Sequence, residues 1–218
     1  MTDYFTTPPA LGFLELNSIS RGLYLTDLIL KKAPVRIVVS QPISAGKHII
    51  LFKGEVAEVE ESYQEATTFG DNTILRQVLI PGVHAKLAPF LTSPLHLDGG
   101  AGITAAQVAP ASAAEATSIQ SGLNSMTIPT DSSVGIVESA SLAGAVLAAD
   151  RALKMTEADL YRLRLGQGIG GKAYFVMTGA QDEVEASLEA ARNCLQELDS
   201  FIRVDLIARP IDEVLEHF

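Results

Sequence analysis

The chain contains its own pattern twice. Residues 10–33, ALGFLELNSISRGLYLTDLILKKA, align at a fixed offset with residues 133–156, SVGIVESASLAGAVLAADRALKMT. Gly12 meets Gly135, Glu15 meets Glu138, Ser18 meets Ser141, Asp27 meets Asp150 and Lys31 meets Lys154. The second copy then gains two residues, after which ISAGKHIILFKGEVAEVEES (43–62) lies against GIGGKAYFVMTGAQDEVEAS (168–187). Gly46-Lys47 there meets Gly171-Lys172, and Glu58-Val59-Glu60 meets Glu183-Val184-Glu185. The tails LIPGVHAKLAPFL and LIARPIDEVLEHF also run in parallel. A tandem duplication of this extent requires that whatever one copy folds into, the other folds into as well.

One copy is enough to read the unit. LGFLEL is short, apolar and bounded, which predicts a strand. Apolar residues then recur at helical spacing through SISRGLYLTDLILKKA, with Ser18 as N-cap and Pro34 as the stop. VRIVVSQ and HIILFKG are β-rich runs joined by the short loop PISAGK. EVAEVEESYQEATTFG predicts a second amphipathic helix closed by Gly70, and ILRQVLI a last strand before a short final helix. The order β-α-β-β-α-β is that of a ferredoxin-like unit, so the fold class is α+β with two such domains in tandem. The domains span residues 10–91 and 133–218. Between them, residues 92–132 are rich in Ala, Ser, Thr and Gly and hold only Asp98, Glu115 and Asp131 as charges. That segment reads as a flexible connector, or as an ordered loop decorating one face of an assembly.

Charge and composition exclude several classes. With 218 residues, 47% of them apolar, the chain can bury a core in each copy. A net charge of −10 disfavours nucleic acid and anionic membranes as partners. No apolar run reaches the roughly 20 residues of a membrane helix, and the first residues lack a signal-peptide pattern. The chain reads as cytoplasmic. Its single cysteine, Cys194, lies in a helical run and reads as a small buried apolar residue.

The stretch GQGIGGK (166–172) satisfies both the dinucleotide fingerprint and the start of a P-loop, although Ala173 stands where Ser or Thr would hold magnesium. Both motifs need a helix after the glycines, because its N-terminus holds the phosphates. KAYFVMTG follows instead, and it reads as a strand. The sister loop PISAGK keeps the position with one glycine, so nucleotide binding is rejected. The four histidines, His48, His84, His96 and His217, share no metal-ligand spacing. No nucleophile pairs with them in sequence, and Glu15 and Glu138 are explained by duplication. No catalytic residue, metal site or cofactor is expected.

The repeated pattern resembles a bacterial microcompartment (BMC) shell domain, twice over. The opening strand, Asp-x-x-x-Lys on the first helix, Gly-Lys after the central loop and Gly before the second helix carry the resemblance. It covers nearly the whole chain except the connector and the first residues. Two copies without circular permutation are similar to tandem-domain trimeric shell proteins. The resemblance implies a homotrimer forming a flat pseudohexamer, a structural tile that joins other hexameric, trimeric and pentameric shell proteins around enzymes. It also implies a central pore for small polar metabolites, lined by Ile43-Ser44-Ala45 and Gly168-Ile169-Gly170. Tile-edge contacts would fall to Lys31, Lys154, Arg209 and Pro210, although the first copy has Pro81-Gly82 without the arginine. One relative in that class holds an iron–sulfur cluster through a cysteine at the position of Ser44; serine there argues against a cluster. The main competing reading is a ligand-binding regulatory module, because ferredoxin-like repeats commonly form sensors. An enzyme is the third choice.

Overall fold

A computed structural model describes residues 9–91, 103–104, 128–129, 131–166 and 169–215. Gly168 and most of the connector therefore lie outside the described residues. The first copy runs β1 (Ala10–Leu16), α1 (Ile19–Lys32), β2 (Arg36–Ile43), β3 (Lys47–Gly54), α2 (Val56–Phe69) and β4 (Ile74–Ile80). From the connector, β5 (Ile103–Thr104) is described. The second copy runs β6 (Ser133–Ser139), α3 (Leu142–Met155), β7 (Asp159–Leu165), β8 (Ala173–Gly179), α4 (Gln181–Glu197), β9 (Phe201–Ile207) and α5 (Asp212–Leu215).

Each copy forms an antiparallel sheet with its helices, in the order β2-β3-β1-β4 and, with β5 added outside β7, β5-β7-β8-β6-β9. The duplication holds at the level of register. Leu14 lies opposite Ile50 in one sheet, and Val137 opposite Phe175 in the other. The bulges repeat too, after Glu15 in β1 and after Glu138 in β6. Ser18 and Ser141 cap α1 and α3 as the sequence predicts, accepting from the N–H of Arg21 at 3.3 Å and of Gly144 at 2.9 Å. The predicted final helix forms in the second copy only. In the first, a 3-10 turn at Ala88–Leu91 takes its place, because Pro89 has no N–H and bars its neighbour from helical backbone.

Strand alternation gives each sheet two faces. In the first copy, Leu14, Leu16, Ile50 and Phe52 pack against the domain's own α1 and α2, together with Leu25, Ile29 and Val59. The opposite face, with Leu11, Phe13, Ile49, Leu51, Val78 and Ile80, is buried as well, because α3 of the second domain lies on it. One apolar cluster thus crosses from the first sheet into the second domain. Each fully buried Leu or Phe in it contributes about 1.5–3 kcal/mol. Cys194 is buried among these residues as expected, and burial pushes its thiol up to about 11. The copies also repack locally. A Cβ on Gly22 would come within 2.2 Å of the His48 ring, whereas the second copy holds Ala145 and Ala173 at those positions.

Candidate pore loops and domain junction

The two loops named from sequence lie side by side. A Cβ on Gly171 would sit 3.3 Å from the Ser44 carbonyl oxygen, and one on Gly166 would sit 3.3 Å from Ile43 Cδ1. In the first loop, Ile43 ends β2 with its side chain buried, and Ser44–Gly46 form a single 3-10 turn. Ser44 is half-buried and Gly46 exposed. In the second, Gly166 N–H donates to Lys172 O at 2.9 Å and Lys172 N–H to Ile169 O at 3.3 Å, closing a turn between strands. Ile169 is half-buried and Gly170 exposed. Gly46 and Gly171, which share a position in the repeat, both take left-handed backbone, with φ of 72° and 73°. A strand follows each loop, β3 after the first and β8 after the second.

Glu15 is the residue that sequence reasoning undervalued. It is fully buried, and one carboxylate oxygen accepts from Ser141 Oγ at 2.5 Å and from Ala143 N–H at 2.7 Å. The first domain thereby caps the N-terminus of a helix in the second, where the helix dipole favours an anion. Lys47 Nζ lies 3.4 Å from its other oxygen. Its repeat partner Glu138 is 37% exposed and pairs with Lys172 at 2.8 Å. A carboxylate inside the otherwise apolar LGFLEL was the available signal.

The far end of the junction gathers the tail of the first copy and the end of α3. His84 N–H donates to Asp150 Oδ1 at 2.8 Å, and Lys154 Nζ donates to Gly82 O at 2.6 Å and to Asp150 Oδ2 at 2.5 Å. Burial, more than the neighbouring lysines, lowers the His84 pKa, and Asp150 works against it. Lys31, the repeat partner of Lys154, stays exposed and pairs with Asp27 along its own helix. Arg209 is exposed with a left-handed φ of 51°, and Pro210 is buried. Of the four edge residues expected from sequence, Lys154 meets the other domain through a hydrogen bond. It does so at Gly82, the first-copy counterpart of Arg209. Among the described residues, no three His, Cys, Asp or Glu come together as a metal site, and no helix is long and apolar enough to cross a membrane.

The BMC domain model matches this chain twice, at residues 10–83 and 133–210. The chain belongs to the BMC shell-protein family. It carries two copies of the family's domain, and the family is structural rather than enzymatic. The chain is 30% identical over 201 residues to the bacterial microcompartment shell protein PduT of Citrobacter freundii, covering 92% of each chain. A microcompartment protein from Desulfitobacterium hafniense superposes with a TM-score of 0.71 at 27% identity, over 96% of this chain and 99% of that one. The fused permuted hexameric shell protein of the RMM microcompartment shares the fold, with a TM-score of 0.54 at 19% identity over 87% of this chain and 82% of that one.

Proposed function

We propose that three copies of this chain close into a flat pseudohexameric tile, with six loops around a central pore for small polar metabolites. The tile takes its place beside hexameric, trimeric and pentameric shell proteins. One observation carries this reading. The face of α3 is covered by the first domain's sheet, whereas the same face of α1 is open. Ile19, Leu23, Tyr24 and Leu30 are 44, 58, 47 and 51% exposed, while of their repeat partners Leu142, Val146 and Leu153 are at 2% or less and Leu147 is half-buried. An apolar stripe of this kind is a docking surface. The outer face of the second sheet is its repeat-related receptor: Val134 and Val176 there pack with Ile128 and Leu215, while Ile136, Tyr174 and Glu138 are half-buried. One open helix face and one partly open sheet face per chain make a head-to-tail interface, and such an interface closes into a ring when its rotation divides the circle.

Closure at three repeats the junction of one chain around the axis, so the loops at 43–46 and 166–171 alternate. The same operation brings Lys31 of one chain to Arg209-Pro210 of the next, as Lys154 already meets Gly82 within the chain. Ser44 then offers the pore a ring of hydroxyls, and Ile169 a ring of apolar side chains between them. Left-handed glycines let backbones crowd the axis without Cβ atoms.

Light scattering after size exclusion, followed by electron microscopy at high concentration, tests the reading. A trimer that forms flat hexagonal arrays is expected. A monomer at all concentrations overturns the reading, and a trimer with saturable small-molecule binding that never forms sheets favours a regulatory module instead.

A further inference from the structure

On the trimer reading, the repeat relates the contacts of the junction inside the chain to counterparts between chains. Resting on the trimer reading above, we propose that ring closure is keyed by an ion pair whose signs are inverted relative to the pair inside each chain. Within the chain, Lys86 reaches across the junction to the start of β7. Its Nζ donates to the carbonyl oxygens of Glu157 at 3.0 Å and Ala158 at 3.2 Å, and it pairs with Asp159 Oδ1 at 2.8 Å. In the sequence repeat Glu213, on α5, stands at the position of Lys86, which lies in a turn, each four residues after Arg209 or Gly82. In the first sheet, Arg36 occupies the position of Asp159. Both open their strands in the same register, Arg36 opposite Lys53 and Asp159 opposite Thr178. Arg36 and Glu213 are both exposed. The counterpart of Lys86–Asp159 between chains is therefore Glu213–Arg36, with both charges reversed.

Reversing both signs keeps each proper junction attractive and makes each improper one repulsive. A second-domain tail placed on another second domain would set Glu213 against Asp159, beside Glu157 and Glu183, whose carboxylate already accepts from the Glu157 N–H at 2.9 Å. A first-domain tail placed on another first domain would set Lys86 against Arg36, next to Lys53. Like charges facing each other across an interface are a device for excluding partners. The apolar stripe on α1 supplies adhesion between chains; the inverted pair supplies the choice of which domain sits on which. The pair favours strict alternation of first and second domains around the ring, and it discourages one chain's second domain from displacing another chain's first.

Charge reversal tests this with residues that lie outside the core. Glu213→Lys and Arg36→Glu should each raise the concentration at which the trimer half-dissociates by about tenfold or more at low salt. That effect should shrink in molar salt. The double variant Arg36→Glu/Glu213→Lys should recover wild-type assembly, since both partners reverse together. Mixing the two single variants should recover it only in part, because an odd ring of three leaves at least one like-charged junction. Circular dichroism melts of the variants at monomeric concentration should match the wild type. A wild-type trimer indifferent to both single reversals, or a double variant no better than the singles, overturns this inference alone. A wild-type chain that never trimerises overturns the trimer reading and the inference together.

Discussion

Replacing Glu15 with alanine separates the two halves of a pattern that looks symmetric in sequence. In the native chain its carboxylate is fully buried, accepts from Ser141 Oγ and Ala143 N–H, and faces Lys47. Truncation leaves the Ala143 amide and part of a lysine unpaired in a buried junction. Breaking a buried ionic contact by removing one partner costs about 3–5 kcal/mol. Glu138→Ala removes a half-exposed pair with Lys172, for which about 0–1 kcal/mol is expected. With a urea slope of about 2–3 kcal/mol/M, Glu15→Ala should lower the unfolding midpoint by roughly 1–2.5 M and Glu138→Ala by a few tenths. The measurement belongs in a background held monomeric by Leu23→Asp, an exposed position on α1. On the trimer reading the difference should narrow on assembly, because the repeat would give Glu138 the Ser18 Oγ and Ser20 N–H of the neighbouring chain. Equal midpoints for the two variants in the monomeric background would refute the reasoning.

Three further outcomes follow from the geometry. Burial lowers the pKa of His48, so below pH 6.5 the unfolded chain binds more protons than the folded one, and stability present above that value is lost as pH falls toward the folded pKa. Gly22→Ala/His48→Ala, which copies the second domain's pair, should flatten that part of the pH dependence in urea melts and be more stable than His48→Ala alone. Gly171→Ala should cost more than Gly46→Ala: both strain a left-handed backbone by about 1 kcal/mol, but only Gly171 also presses on the Ser44 carbonyl, as paired thermal melts would reveal. Ser44→Cys should bring three thiols to the trimer axis, and anaerobic reconstitution with iron and sulfide should give the absorbance of a cluster; a colourless trimer counts against the axial position of that residue.

The fold was legible because its signals are local and stated twice. Strand alternation, helical spacing, the Ser18 and Ser141 caps and the fixed offset between copies are all present in the structure. The loops at 43–46 and 166–171 were legible for the same reason, since a glycine that must be left-handed recurs in both. What separates Glu15 from Glu138, or Leu153 from Leu30, is which neighbour each one meets. The copies share a pattern, so no periodicity could say that α3 is covered and α1 is not. Lys86 and Asp159 were on view in the sequence, but charges on tails and strand ends read as solvated until the junction shows that these two face each other.

The covered α3 face also bears on the order of assembly. Because the first sheet and α3 belong to one polypeptide, half of the junctions in a six-domain ring form intramolecularly, at an effective concentration set by the connector and not by the cell. Ring formation on the trimer reading then depends on the third power of chain concentration, where six separate domains would require the sixth. A duplicated chain can therefore close its ring at levels of expression too low for its single-domain equivalent, and a scarce tile can be placed into a shell dominated by more abundant ones.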